Sequence, residues 1–330
     1  MKCTNNKRIL SFIVCILFVT TFFGGCGNAD YSLPYDYNYD VSSFQIIQKE
    51  NTAVTDTFAR DLCIVTNNVS NNPALDMGTL SAAVLFDVSQ KDVIFSKNAH
   101  ERLYPASLTK VMTALVALKY GSLDQTLTAT SVIKMEDPDA TKIKKLREGD
   151  TMTLYQALHI ILIYSANDVA NMVAEGVAGS VEEFVELMNK EAAALGATNT
   201  NFVNPHGLPD PTHYSTAYDM YLIFNEAIKN DVFKEIINMS SYSTTYYDKN
   251  GKAKELELKT TNRYFRGDFE MPSSVTVLGG KTGTTDAAGH CLILLSRDVN
   301  SDLYISIILC APARDELYGK MTDLLNEIGK

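Results

Sequence analysis

Strand-like runs stand at both ends of the globular part of this 330-residue chain, with a block of helices between them. The first runs are residues 80–88 and 93–96, separated by Ser89-Gln90-Lys91-Asp92, which reads as a hairpin turn. The last are 275–278, 291–295 and 303–310, the final two joined around Asn300-Ser301. Between them the apolar spacing turns helical over 108–120, which Gly121 ends, over 154–164 and over 218–230. Thr153 with Gln156 is a capping-box pattern, and so is Ser180 with Glu183 at the head of a helix ending near Leu195, where Gly196 supplies a left-handed cap. Residues 315–328 close the chain as an amphipathic helix. That order makes an α+β fold, an antiparallel sheet flanked by helices with a helical lobe.

The N-terminus is of another kind. Lys2, Lys7 and Arg8 precede an apolar run over 9–23, then come Gly24-Gly25-Cys26-Gly27. A basic start, a short apolar stretch and small residues make a secretory signal. The run is shorter than the roughly 20 residues of a spanning helix, and an uncleaved anchor is the alternative reading. Phe23-Gly24-Gly25-Cys26 resembles a bacterial lipobox, with phenylalanine where leucine is usual. Residues 1–26 are therefore expected to be a lipoprotein-type signal with Cys26 the lipidated residue, and plain secretion the alternative. Acyl chains on Cys26 would tether the chain to a membrane. Residues 27–78, rich in Asn, Asp, Ser, Thr and Tyr, read as a polar spacer. Leu62-Cys63-Ile64-Val65 is its one apolar patch, a short strand able to dock on the domain that occupies 79–330.

A formal charge of -10 argues against nucleic acid as a partner. With Cys3 and Cys15 in the signal and Cys26 lipidated, Cys63, Cys291 and Cys310 are an odd remainder and no full disulfide framework. Cys291 and Cys310 face each other if their two runs pair symmetrically; two buried free thiols are the preferred reading. The histidines are scattered without ligand spacing, so neither a metal nor another cofactor is expected.

Three short clusters carry the chemistry: Ser107-Leu108-Thr109-Lys110, Ser165-Ala166-Asn167 and Lys281-Thr282-Gly283. At a helix start Lys110 falls on the face of Ser107, three residues on. A serine hydroxyl needs a neighbouring base, and lysine serves if burial or a second cation lowers its pKa. Lys281 is that cation if the clusters converge. Alone, the first cluster reads as an ordinary N-cap serine beside a solvated lysine, and the second as a capping triplet. The helix before Ser165 is apolar almost all round, so it points Ser165 inward. There Ser165 relays a proton towards a leaving amine, while Asn167 holds a substrate amide. Glycines around Lys281-Thr282 at the end of a strand allow close backbone approach, and no phosphate-loop spacing is present. Lys281 and Thr282 together suit a carboxylate. The N–H groups of Ser107 and Thr284 are the candidate oxyanion hole.

These clusters resemble those of penicillin-recognising serine enzymes, whose shared fold is the β-lactamase/transpeptidase-like one. Tyr104-Pro105-Ala106-Ser107, Asn204-Pro205-His206-Gly207-Leu208 and His213-Tyr214-Ser215-Thr216-Ala217-Tyr218-Asp219-Met220 extend the likeness to the serine D-Ala-D-Ala carboxypeptidases, the low-molecular-mass penicillin-binding proteins. The resemblance implies Ser107 as acylated nucleophile and Lys110 as base. Ser165 and Asn167 complete proton transfer and substrate holding, and Lys281, Thr282, Gly283 and Thr284 bind the substrate. It implies peptidoglycan stem pentapeptides as substrate, β-lactams as covalent inhibitors and a cell-envelope location. Many members continue into a β-rich second domain and a C-terminal anchor. Only two strand runs and a helix follow Lys281, so neither is expected, and lipid at Cys26 takes the anchoring role. Thr284 stands where some members have histidine. A D,D-endopeptidase uses the same residues. A class A β-lactamase is disfavoured because no E-x-x-L-N segment lies between Asn167 and Lys281. A non-catalytic envelope binding protein is disfavoured by the intact reactive set.

Overall fold

The computed structural model describes residues 59–138 and 140–330. The expected signal, Cys26 and residues 27–58 of the expected spacer lie outside the described residues. The N-terminal strand runs form β2 (Ala82–Asp87) and β3 (Asp92–Lys97), and a short strand inside the expected spacer, β1 (Val69–Ser70), pairs with β3. The C-terminal ones form β8 (Thr276–Thr285), β9 (Gly289–Arg297) and β10 (Leu303–Ala311). They make one antiparallel sheet in the order β1-β3-β2-β10-β9-β8, closed by β2 against β10 with Phe86 opposite Ile305 and Ala82 opposite Leu309.

Both faces of that sheet are covered, which is why all six residues of β2 are buried. Side chains alternate between the faces. Ala83, Leu85, Leu292, Leu294 and Ile308 pack with Leu317, Tyr318, Met321 and Leu324 of the last helix, α8 (Arg314–Leu325). Val84, Phe86, Ile293, Ile305 and Ile307 join the larger core under the helical lobe. In that lobe α1 (Thr109–Tyr120) runs centrally, with Val111, Met112, Ala114, Val116 and Ala117 at zero exposure. Around it stand α2 (Leu154–His159), α3 (Asn167–Ala178), α4 (Val181–Ala194), α5 (Ala217–Ala227) and α6 (Asp231–Ile237). A four-stranded sheet that periodicity alone does not announce borders the lobe: β4 (Thr126–Thr128), β5 (Thr151–Thr153), β6 (Ser241–Tyr247) and β7 (Ala253–Lys259). The turn α7 (Arg263–Arg266) leads from it towards β8.

The capping box forms as read. Thr153 Oγ1 accepts from Gln156 N–H at 3.2 Å, and Gln156 Oε1 accepts from Thr153 N–H at 2.8 Å. The helix it opens does not stay α-helical over 154–164. At Ile160 it widens into a π turn (Ile160–Tyr164), and the Ser165 N–H reaches back to the Ile160 carbonyl at 3.1 Å. Such a bulge re-aims the residue that follows it.

The apolar patch at 62–65 docks, but as coil. Cys63 is fully buried, its N–H donates to Tyr221 Oη at 2.8 Å, and Tyr218 Oη donates to its carbonyl. The strand of this stretch is β1, which pairs with β3. Cys291 and Cys310 are unbonded thiols. The β9–β10 register shifts between Ile308 and Ala311, putting Cys310 at φ +59 with its N–H 3.5 Å from Cys291 Sγ.

Candidate active site

Ser107 lies in a 3₁₀ turn (Ala106–Leu108) that feeds α1, and α1 starts without any side-chain cap. Its hydroxyl is therefore not engaged as an N-cap. Ala106 just before it has φ +47, an unusual value for a residue with a Cβ. Two glycines wall this turn. A Cβ on Gly207 would stand 1.8 Å from the Ala106 carbonyl oxygen, and one on Gly283 would stand 3.0 Å from Ser107 N. Behind the turn, neutral His213 bridges Val203 N–H and Thr109 Oγ1, its Nε2 2.8 Å from that hydroxyl.

Lys110 is completely buried, and its Nζ lies 2.9 Å from Ser107 Oγ, 2.6 Å from Asn167 Oδ1 and 2.7 Å from the His206 carbonyl. Burial, with the Lys281 charge beside it, holds its pKa well below the lysine range, partly opposed by Asp168. A neutral amine has two N–H groups and one lone pair. Asn167 Oδ1 and the His206 carbonyl accept the two N–H bonds, so the lone pair is left facing Ser107 Oγ–H. That is the arrangement of a base beside its nucleophile.

The π turn delivers Ser165 at φ +71, buried in the cleft, and Asn167 opens α3. Lys281 Nζ, fully buried on β8, donates to Ser165 Oγ at 2.9 Å and to the Thr282 carbonyl at 2.8 Å. Burial lowers its pKa to about 7. Thr282 Oγ1 donates to Thr261 Oγ1 at 2.6 Å. The three sequence clusters thus converge: the first meets the second through Lys110 and Asn167, the second meets the third through Ser165 and Lys281. Gly283 lets the edge strand β8 pass against the turn that carries Ser107, and Thr282 and Thr284 on either side of it line the cleft.

Asp168, next along, accepts the N–H groups of Ile143 and Val169 at 2.9 Å, while burial raises its carboxyl to about 6. Asn167 N–H donates to the Thr141 carbonyl at 2.7 Å. Together they clamp the 141–143 loop onto the rim.

The cleft, about 230 Å³, is lined by Ser107, Ser165, Thr282 and Thr284, and also by Arg263, Arg266, Arg314 and His290. Sequence reasoning did not single out those four. His290 stands opposite Thr284 across the β8–β9 ladder, with Nδ1 3.1 Å from Thr284 Oγ1. Burial and the charges of Arg314 and Arg263 lower its pKa. A strand-partner search from Thr284 would have found His290; the isolated arginines carry no spacing signal.

The family described as D-alanyl-D-alanine carboxypeptidase, peptidase S11, matches residues 59–313. The Bacillus subtilis D-alanyl-D-alanine carboxypeptidase DacF is 34% identical over 256 residues, covering 74% of this chain and 61% of its own. Escherichia coli D-alanyl-D-alanine carboxypeptidase DacC is 34% identical over 238 residues, covering 70% of this chain and 56% of its own. The chain thus spans about three fifths of the length of these relatives. Among solved structures, the Streptomyces K15 DD-transpeptidase superposes with a TM-score of 0.69 at 25% identity, over 76% of this chain and 96% of that one.

Proposed function

Since the chain belongs to the D-alanyl-D-alanine carboxypeptidase family S11, we propose that it removes the terminal D-alanine of peptidoglycan stem peptides through an acyl-enzyme on Ser107. The observation that carries this reading is Lys110 Nζ, buried and 2.9 Å from Ser107 Oγ with both other neighbours acceptors. Lys110 takes the hydroxyl proton as Ser107 Oγ attacks the carbonyl of the penultimate D-alanine. The developing oxyanion is held by the N–H groups of Ser107 and Thr284, an interaction worth about 3–4 kcal/mol per donor in acyl transfer. As the tetrahedral adduct collapses and its C–N bond breaks, Ser165, hydrogen-bonded to Lys281, relays the proton that Lys110 took to the leaving amine, so that free D-alanine departs and Lys110 is neutral again. Asn167 holds the substrate amide through its Nδ2, its Oδ1 being taken by Lys110. A water then attacks the ester, again with Lys110 as base, and releases the shortened peptide.

The leaving D-alanine carries a carboxylate. Thr282 lines the cleft where it would lie, Lys281 stands buried behind Ser165 as the nearest cation, and Arg263, Arg266 and Arg314 give the cleft the positive rim such a group needs. The peptide lies along the free edge of β8 as an added strand. β-Lactams, which present an acyl carbon and a carboxylate in the same relation, acylate Ser107.

The cell-envelope reading rests on the sequence: residues 1–26 as a lipoprotein signal, Cys26 acylated, residues 27–78 as a spacer whose end packs on the domain, and 79–330 as the catalytic domain on the extracytoplasmic face. Among the described residues no helix is long and apolar enough to cross a membrane.

The test is covalent labelling of the purified protein with a fluorescent penicillin. Labelling that Ser107→Ala abolishes supports the reading; no labelling of the wild type removes it. For the anchor, Cys26→Ala should release the protein from membranes; unchanged retention would refute lipidation there.

A further inference from the structure

Behind Ser107 the head of α1 is held by a distant loop and not by a side-chain cap of its own. Three of its side chains bond to the segment 205–213. Lys110 Nζ donates to the His206 carbonyl at 2.7 Å and Thr113 Oγ1 to the Pro205 carbonyl at 2.6 Å. Thr109 Oγ1 meets the ring of His213 at 2.8 Å. The first two contacts end on backbone; the third ends on a side chain, with a definite tautomer.

That tautomer follows from the partners of the ring. Val203 N–H donates to Nδ1 at 3.2 Å, so Nδ1 carries the lone pair and the ring proton sits on Nε2, which donates to Thr109 Oγ1. Burial holds the ring neutral, its pKa down at about 4, partly opposed by Asp210. The ring is also fixed from its own side. His213 N–H donates to the Asp210 carbonyl at 2.9 Å, and Phe202 stands edge-on to the imidazole. Thr109 and His213 are both buried, so water does not replace this bond if it is lost.

The contact fixes where the loop lies against α1. A neutral Lys110 aims its lone pair at Ser107 only while both N–H groups are taken, one by Asn167 Oδ1 and one by the His206 carbonyl. A loop that slid along α1 would free that second N–H to turn towards Ser107 Oγ.

We propose that His213 is a positioning residue for the acylation step, acting through Thr109 to keep the His206 carbonyl on Lys110 and the lysine lone pair on Ser107. This rests on the carboxypeptidase reading for the role of Lys110 as base.

The test reads acylation and the Lys110 titration in variants of the purified protein. His213→Asn keeps an acceptor for Val203 N–H but is too short to reach Thr109, whereas His213→Gln presents an N–H near the place of Nε2. His213→Asn and Thr109→Val should each slow acylation by a fluorescent penicillin about tenfold or more, their double variant should lose no more than about twofold beyond the slower single, and His213→Gln should stay within about threefold of wild type. An ammonium that loses a carbonyl acceptor is less stabilised, so the Lys110 titration, followed by NMR of labelled lysine, should move to lower pH in His213→Asn and Thr109→Val and return in His213→Gln. Losses that multiply in the double variant, a His213→Gln protein as slow as His213→Asn, or an unmoved Lys110 titration would overturn the role. If no His213 variant folds, Thr109→Val decides alone, and a wild-type rate for it would overturn the role as well. Absence of labelling in the wild type would instead strike the carboxypeptidase reading, and the Lys110 titration would still decide the positioning.

Discussion

Gly207 lies so close to Ala106 that a Cβ on it would stand 1.8 Å from the Ala106 carbonyl oxygen. Both have positive φ, +88 and +47, and Ser107 follows directly. The nucleophile turn is thus shaped by a neighbour a hundred residues further along the chain, in the same loop whose His206 carbonyl accepts from Lys110. Gly207→Ala must move Ala106, and Ser107 with it. We expect penicillin acylation to fall by at least about 100-fold and stability by about 2–4 kcal/mol, from strained backbone and a forced shift. Stopped-flow labelling and urea denaturation read the two; wild-type acylation would refute this role.

Lys281 lowers the pKa of Lys110 by its charge, second only to burial. Acylation needs neutral Lys110, so its rate rises with pH through that pKa. Removing the neighbouring cation raises the pKa. Lys281→Met should move the acid limb of the acylation profile to higher pH, besides weakening capture of donors with a carboxylate. An unmoved limb would separate the two lysines electrostatically.

Asp168 titrates at about 6 in the fold, above its ordinary 3.8, because it is buried. A carboxyl with a raised folded pKa binds more protons folded than unfolded between those values. Its contribution is therefore favourable below about pH 4 and lost as pH rises through 6, up to roughly 3 kcal/mol for a two-unit shift. Asp168→Asn should flatten this part of the stability profile, measured by urea denaturation from about pH 4 to 7. An unchanged profile would show that other groups set it.

Arg314 forms no ion pair with another described residue while lining the cleft. If it holds the terminal carboxylate, Arg314→Gln should raise KM for a D-Ala-D-Ala peptide with kcat less affected. A charged hydrogen bond of about 1.5–3 kcal/mol gives roughly 10- to 150-fold. A peptide ending in an amide should show no such change. Equal effects on both peptides would remove the contact.

The residues proposed to do the chemistry were legible because such chemistry demands their types at fixed spacing: Ser107 with Lys110 one helical turn on, Ser165 with Asn167, and Lys281-Thr282-Gly283. The strand runs at both ends were legible because burial on two faces makes them apolar throughout, as in β2. What stayed hidden depends on partners far away in sequence. β8 reads as only 275–278 because Gly279, Gly280 and Gly283 suppress the strand signal where backbone approaches closely. The widening at Ile160 leaves no mark in a run of apolar residues. β4 and β5, three residues each, are too short to show a period, and β5 joins the sheet through Thr151 opposite Tyr247 of β6. Arg263, Arg266, Arg314 and His290 meet in the cleft from α7, α8 and β9, a convergence that only the fold produces.

The central claim is that Ser107, activated by Lys110, is acylated by a peptide ending in D-Ala-D-Ala and is then hydrolysed. The most direct measurement is mass spectrometry of a defined stem pentapeptide after incubation with the purified protein. The account predicts loss of a single alanine with the wild type, and an intact peptide with Ser107→Ala. An intact peptide with the wild type, or the same loss with the Ser107 variant, would contradict it.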